Sequence, residues 1–84
     1  MSDFRRLLLE ISNEITNAEL AELKFLCGDE IPLRTLQGVS KPFELFTALL
    51  QGNLLSKQKR EYLASKLSCV NRVDLSNKLL GIQG

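Results

Sequence analysis

Three observations predict an all-α protein, a six-helix antiparallel bundle. Apolar residues recur at three- and four-residue spacing through most of the chain, and two prolines and five glycines divide it into segments of helical length. Val, Thr and Tyr are sparse and strict alternation is weak, so the strand signal is poor. With 84 residues there is room for one domain, residues 1–84, with a small core. Short connections make neighbours in sequence neighbours in space.

The first helix is expected over Asp3–Ser12, where Phe4, Leu7, Leu8 and Ile11 share one face. The second begins at Thr16, because Thr16-Asn17-Ala18-Glu19 has the capping-box form, with an N-cap hydroxyl and a Glu three residues on. Its inner face is Leu20, Leu23 and Cys27, and Gly28 supplies a stop. A short third helix is expected between Pro32 and Gly38. The fourth starts after Ser40, with Pro42 in the first turn, where a missing N–H is harmless. Phe43, Phe46, Leu49 and Leu50 are its expected inner face, and Gly52-Asn53 ends it. The fifth takes Ser56 as N-cap and turns Leu63, Leu67 and Val70 inward. A break near Asn71 precedes the sixth, which has Asp74 near its start and Leu75, Leu79 and Leu80 as apolar positions.

Composition excludes several function classes. A 44% hydrophobic share suits a packed globule, and no apolar run approaches the ~20 residues of a membrane span. The start of the chain has no long apolar stretch followed by a small-residue cleavage site, so no signal peptide is expected. Eleven Lys/Arg against ten Asp/Glu leave a net charge of +1, without the basic excess of a nucleic-acid module. There is no histidine, which removes the commonest general base and the commonest metal ligand. Cys27 and Cys69 alone cannot make a zinc site and are expected as reduced thiols in the cytoplasm. No glycine-rich phosphate loop is present. The expectation is a protein without catalytic, cofactor or metal site.

Residues that break the core pattern are more informative. At 100° per residue, Phe25 points away from Leu20, Leu23 and Cys27 and lies beside Ala18, Ala21 and Glu22. It either packs under a neighbouring loop or anchors a partner, since large aromatics dominate interface hot spots. Leu9 likewise lies off the inner face of the first helix. Two apolar spots on different helices permit a head-to-tail contact, one copy's knob on the next copy's surface. Charges are segregated as well. Glu19, Glu22, Asp29 and Glu30 stand against Lys24 alone, and Lys57, Lys59, Arg60 and Lys66 against Glu61 alone. These are either solvated helix faces or complementary patches that steer partners together.

The stretch Glu19-Leu20-Ala21-Glu22-Leu23-Lys24-Phe25-Leu26-Cys27 resembles the second helix of a death effector domain. Arg72-Val73-Asp74-Leu75 resembles the RxDL motif of that family, and the order and spacing of the two stretches agree with it. The resemblance covers essentially the whole chain. It implies the six-helix death fold and a non-catalytic module that makes homotypic contacts, recruiting and clustering initiator caspases in death-receptor apoptosis signalling. Partners would be death effector domains of initiator caspases or of an adaptor, with self-association and without nucleic acid or membrane insertion. The resemblance also implies a surface charge triad of Glu19, Arg72 and Asp74, and a Phe25-Leu26 patch that docks on the first and fourth helices of another molecule. That receiving surface would include Leu9, Glu10, Glu44 and Gln51. Adaptors of the family carry a richly basic third helix, whereas here Arg34 is accompanied by Leu33, Thr35 and Gly38. Neither a second adaptor domain nor a protease fits in 84 residues. The chain is therefore expected to be a domain of a longer protein or a single-domain regulator that caps such assemblies or binds another signalling protein.

Overall fold

The computed structural model describes residues 3–81. Among them are six α-helices and no strand, in the all-α arrangement expected from the periodicity. The helices are α1 (Asp3–Glu14), α2 (Asn17–Leu26), α3 (Leu33–Gln37), α4 (Pro42–Gln51), α5 (Glu61–Cys69) and α6 (Val73–Leu80). A 3-10 turn, Cys27–Asp29, continues directly from α2 through Gly28. α1 packs against α4 and α6, while α5 packs against α6 and α2. Leu8 and Ile11 of α1, Leu23 of α2, Phe46 and Leu49 of α4, Leu63 and Leu67 of α5, and Leu75 and Leu79 of α6 fill the centre. The 11.7 Å radius of gyration agrees with the ~12 Å expected of a chain this long.

Local chemistry sets the ends of α2 and α4. The Thr16 hydroxyl accepts from the Glu19 N–H at 3.2 Å, while the Glu19 carboxylate accepts from the Thr16 N–H at 2.9 Å, completing the capping box. At α4, Pro42 occupies the first turn and Lys41 is the N-cap residue. The Glu44 carboxylate serves as the cap, accepting from the Ser40 N–H, the Ser40 hydroxyl and the Lys41 N–H. It thereby satisfies donors that a helix start leaves without partners. α4 ends with Asn53, not a glycine, in the left-handed conformation, at φ 60°. Asparagine tolerates that region through its short polar side chain. Leu54 and Leu55 then donate their N–H groups to the Leu49 carbonyl, which folds Leu55 back into the core. Asn71, at φ 63°, makes the same kind of break between α5 and α6.

Five sequence expectations are corrected. α1 runs two residues beyond Ser12, until Ile15 turns inward ahead of the Thr16 cap. α5 does not begin at Ser56: residues 56–60 form a closed turn, with the Ser56 N–H on the Lys59 carbonyl and the Lys59 N–H on the Ser56 carbonyl, and the helix starts at Glu61. The reason is compositional, since Lys57-Gln58-Lys59-Arg60 offers no apolar face to bury. Phe43 is 43% exposed instead of lining the core, and Leu45 takes the inner position. Leu50, also expected on the inner face of α4, is only half-buried and packs at the margin of the core. Leu80 is exposed, leaving Leu75 and Leu79 as the inward leucines of α6.

Arg60 ties this turn to two distant parts of the chain. Its Nε donates to the Lys57 carbonyl at 2.8 Å and its Nη1 to the Leu79 carbonyl at 2.7 Å. Its guanidinium lies 4.8 Å from the centre of the Phe4 ring. The second bond satisfies a carbonyl that the end of α6 leaves open, with a cation where the helix dipole favours one. Arg60→Ala is expected to cost about 1–3 kcal/mol by orphaning that part-buried carbonyl, and to lower Tm by about 4–8 °C per kcal/mol. Arg60→Lys does not recover the loss, because an ammonium lacks the fork that reaches both carbonyls. Thermal melts followed by circular dichroism check both outcomes.

Candidate functional site

Arg72 precedes α6 and joins three helices. Its Nη1 donates to Glu19 Oε1 at 2.8 Å and to the Glu14 carbonyl, at the end of α1, at 2.8 Å. Nε and Nη2 donate side by side to Asp74 Oδ1 and Oδ2, each at 3.2 Å. One planar fork thus binds a carboxylate at the start of α2, a carboxylate at the start of α6 and a carbonyl of α1. The Glu14 carboxylate also meets Lys78 Nζ at 3.2 Å. The Thr16 N–H holds the Glu19 carboxyl below the usual carboxylate range against the opposing effect of burial, and Arg72 adds to the lowering. Arg72 is the main cause of the same shift at Asp74, and the two carboxylates hold the guanidinium proton more firmly.

Phe25 is 85% exposed on α2, so it does not pack under a loop. Apolar grooves flank it. One runs along α2 to the end of α5, lined by Ala21, Leu26, Cys69 and Val70. The other lies between α2 and α3, lined by Ala21, Leu33 and Leu36. Leu26 is half-buried and forms the floor of the first. A separate groove between α1 and α4 is lined by Arg5, Leu8, Leu9, Phe43, Phe46 and Leu50. Leu9 is 50% exposed at its edge.

The other expected contact residues are dispersed. Glu10 is exposed on α1. The Glu44 carboxylate faces back onto the start of α4, where the Ser40 N–H is the largest influence holding its carboxyl low. Gln51 lines a different groove, with Ile31, Pro32, Thr35, Ala48 and Leu54. Sequence reasoning missed Phe43 and Leu33 as surface features. Phe43 follows the core spacing of α4, and nothing in that periodicity separates it from Phe46. Leu33 lies one turn from buried Leu36 on a helix of five residues, too short for spacing to tell the exposed leucine from the buried one.

The two charge blocks are partly engaged within the molecule. Glu19 binds Arg72, and Glu30 accepts a hydrogen bond from the Tyr62 hydroxyl. Lys59 donates to the Asn53 carbonyl and Arg60 to Lys57 and Leu79, while Lys66 Nζ stands 5.0 Å from the centre of the Tyr62 ring. Cys27 is buried and Cys69 exposed, and the two are unpaired. Burial pushes the Cys27 thiol up, so it stays protonated and inert. Among the described residues no cluster of metal-ligating side chains occurs, and no helix is long and apolar enough to cross a membrane.

The Arg72 cluster sets an acid dependence. Glu19 and Asp74 bind their protons more weakly in the folded chain than in the unfolded one. Their stabilisation is therefore fully present above the unfolded carboxylate range, from about pH 5 upward, and is lost as pH falls through the lowered folded values. Arg72→Ala removes the main cause at Asp74 and a lesser one at Glu19. It is expected to lower Tm at pH 7 and to flatten the loss of Tm between pH 5 and pH 3, while Glu44 keeps its own contribution to that slope. Melts across this range on both proteins check it; parallel curves would show that the three side chains are not coupled.

Comparison with known proteins agrees with this architecture. The death effector domain family matches residues 4–83. The chain is 33% identical over 78 residues to rat caspase-8, covering 93% of this chain and 16% of that protein. It is 35% identical over 79 residues to the FAS-associated death domain proteins of mouse and human, covering 94% of this chain and 38% of each. The chain thus spans well under half the length of these relatives. With the six-helix bundle and a match over nearly its whole length, the chain belongs to the death effector domain family.

Proposed function

We propose that residues 1–84 form one death effector domain acting as a non-catalytic interaction module in apoptosis signalling. Phe25 of one molecule docks into the α1/α4 groove of another death effector domain. One observation carries this reading: an aromatic side chain 85% exposed on α2, on a molecule that also has an apolar groove between α1 and α4. Burying a large aromatic is worth about 1.5–3 kcal/mol, and the fold makes no use of it at this position. The partners are death effector domains of initiator caspases or of an adaptor, in the reducing cytoplasm that suits two unpaired thiols. Output then comes from proximity: each docked copy raises the local concentration of whatever enzyme its neighbour carries.

The groove supports a role for Leu9 and extends it to Phe43, whose ring lies 5.9 Å from Lys41 Nζ. Glu44 and Gln51 are weaker candidates for this contact, Glu44 because it caps α4 and Gln51 because it lines another groove.

Light scattering of the purified chain against concentration, with circular dichroism, tests the reading. The wild type is expected to assemble as concentration rises. Phe25→Ala is expected to weaken association by about 30-fold or more, as loss of a hot-spot aromatic costs at least about 2 kcal/mol. Its Tm stays close to wild type, as for surface substitutions in general. A wild type that remains monomeric at every concentration would replace self-assembly with a single-domain regulator that caps assemblies. A Phe25→Ala variant that associates normally would remove Phe25 from the contact.

A further inference from the structure

α3 is the least secured helix of the bundle. It has five residues and no side-chain cap at its start, and so short a helix does not persist by itself in water. The closest helix pairings, α1 with α4 and α6 and α5 with α6 and α2, do not include it. Its backbone bonds stay within it: the Thr35 and Leu36 N–H groups donate to the Pro32 carbonyl, the Gly38 N–H to Thr35 and the Val39 N–H to Leu36. Residues 30–39 are joined to the bundle by the burial of Ile31, Leu36 and Val39 and by two side-chain hydrogen bonds, one at each end. At the start, the Tyr62 hydroxyl of α5 donates to the Glu30 carboxylate. Burial and then Glu30 hold the Tyr62 hydroxyl far above its usual range, so it stays a donor. Lys66, one turn along α5, places its Nζ 5.0 Å from the centre of the Tyr62 ring. At the other end, Lys24 of α2 donates its ammonium to the Val39 carbonyl at 2.9 Å. Outside these two points the chain is anchored again, by buried Cys27 before and by the Ser40 bonds to Glu44 after.

We propose that residues 30–39 detach from the bundle as one unit while the other five helices stay packed, and that Tyr62 and Lys24 are the latches that set how often they do so. Once detached, the stretch keeps no packing partner and α3 melts, which exposes its amides to solvent. α3 supplies Leu33 and Leu36 to the groove beside Phe25. Closed latches therefore keep that wall of the groove in place, and a side chain of α5 controls a surface on α2 and α3. This consequence rests on the docking role of Phe25 argued above; the opening itself does not.

The test is amide hydrogen exchange, read residue by residue by NMR, on the wild type, Tyr62→Phe, Lys24→Met and Arg72→Ala, with circular dichroism on each. In the wild type, the Leu36 and Val39 amides are expected to exchange faster than the amides of α5 and with less dependence on urea, as for a local opening. Tyr62→Phe and Lys24→Met each remove a bond that opening breaks, and each is expected to speed exchange at Leu36 and Val39 by about five- to tenfold. Arg72→Ala breaks bonds that stay intact when residues 30–39 detach. It is expected to speed exchange in α5 and to leave Leu36 and Val39 at the wild-type rate. If Arg72→Ala speeds all of these amides alike, the domain opens only as a whole and the separate unit is overturned. If Tyr62→Phe or Lys24→Met leaves exchange at Leu36 and Val39 unchanged, that residue is not a latch. None of these outcomes depends on association, so the role of Phe25 stands or falls separately, by light scattering.

Discussion

One guanidinium decides how α2 sits. Arg72 is fifty-three residues from Glu19 in sequence, yet a single side chain joins the start of α2, the end of α1 and the start of α6. The fork is planar and its donors are fixed, so binding Asp74 through two nitrogens and Glu19 through a third leaves little freedom in the angle between those helix ends. Thr16 holds the same Glu19 carboxylate from within its own helix, which couples the cap of α2 to the cluster. The far half of α2 is held by Lys24 on the Val39 carbonyl. Everything presented on α2, Phe25 above all, inherits its position from these two ties.

That placement comes at the expense of stability. A domain of this size has a small core and a margin of about 5–15 kcal/mol, so large apolar residues left in water are a substantial forgone contribution. Phe25, Leu33, Leu9 and Phe43 are all in this position. The core is filled without them, with Leu55 brought in from a loop where the Leu54 and Leu55 N–H groups both donate to the Leu49 carbonyl. Apolar exposure gathered beside Phe25 and along the α1/α4 groove has the composition of an interaction surface.

Much of the fold was legible in the sequence. Periodicity gives six helices, and the Thr16–Glu19 capping box forms as its spacing implies. The errors share a cause: they lie where tertiary bonds override local pattern. Ser56 is a good N-cap type, but the charged run after it has nothing to bury and Arg60 is drawn to Leu79 and Phe4. Phe43 follows core spacing yet lines the groove between α1 and α4, 43% exposed. Phe25 was legible because it breaks the stripe of its helix. The Arg72 cluster was not accessible to periodicity at all, since no spacing rule connects residues 19 and 72, and only resemblance to a known family linked them. Leu33 escaped because five residues are too few for a stripe to define an inside and an outside.

Arg60 has one more effect, on the route of the chain. Its guanidinium lies against the ring of Phe4 and holds the carbonyl of Leu79, so the beginning of the first helix and the end of the last meet at one side chain. Such a module can be spliced into the middle of a longer protein, or its ends joined by a short linker and reopened at Asn53, without unpicking any helix.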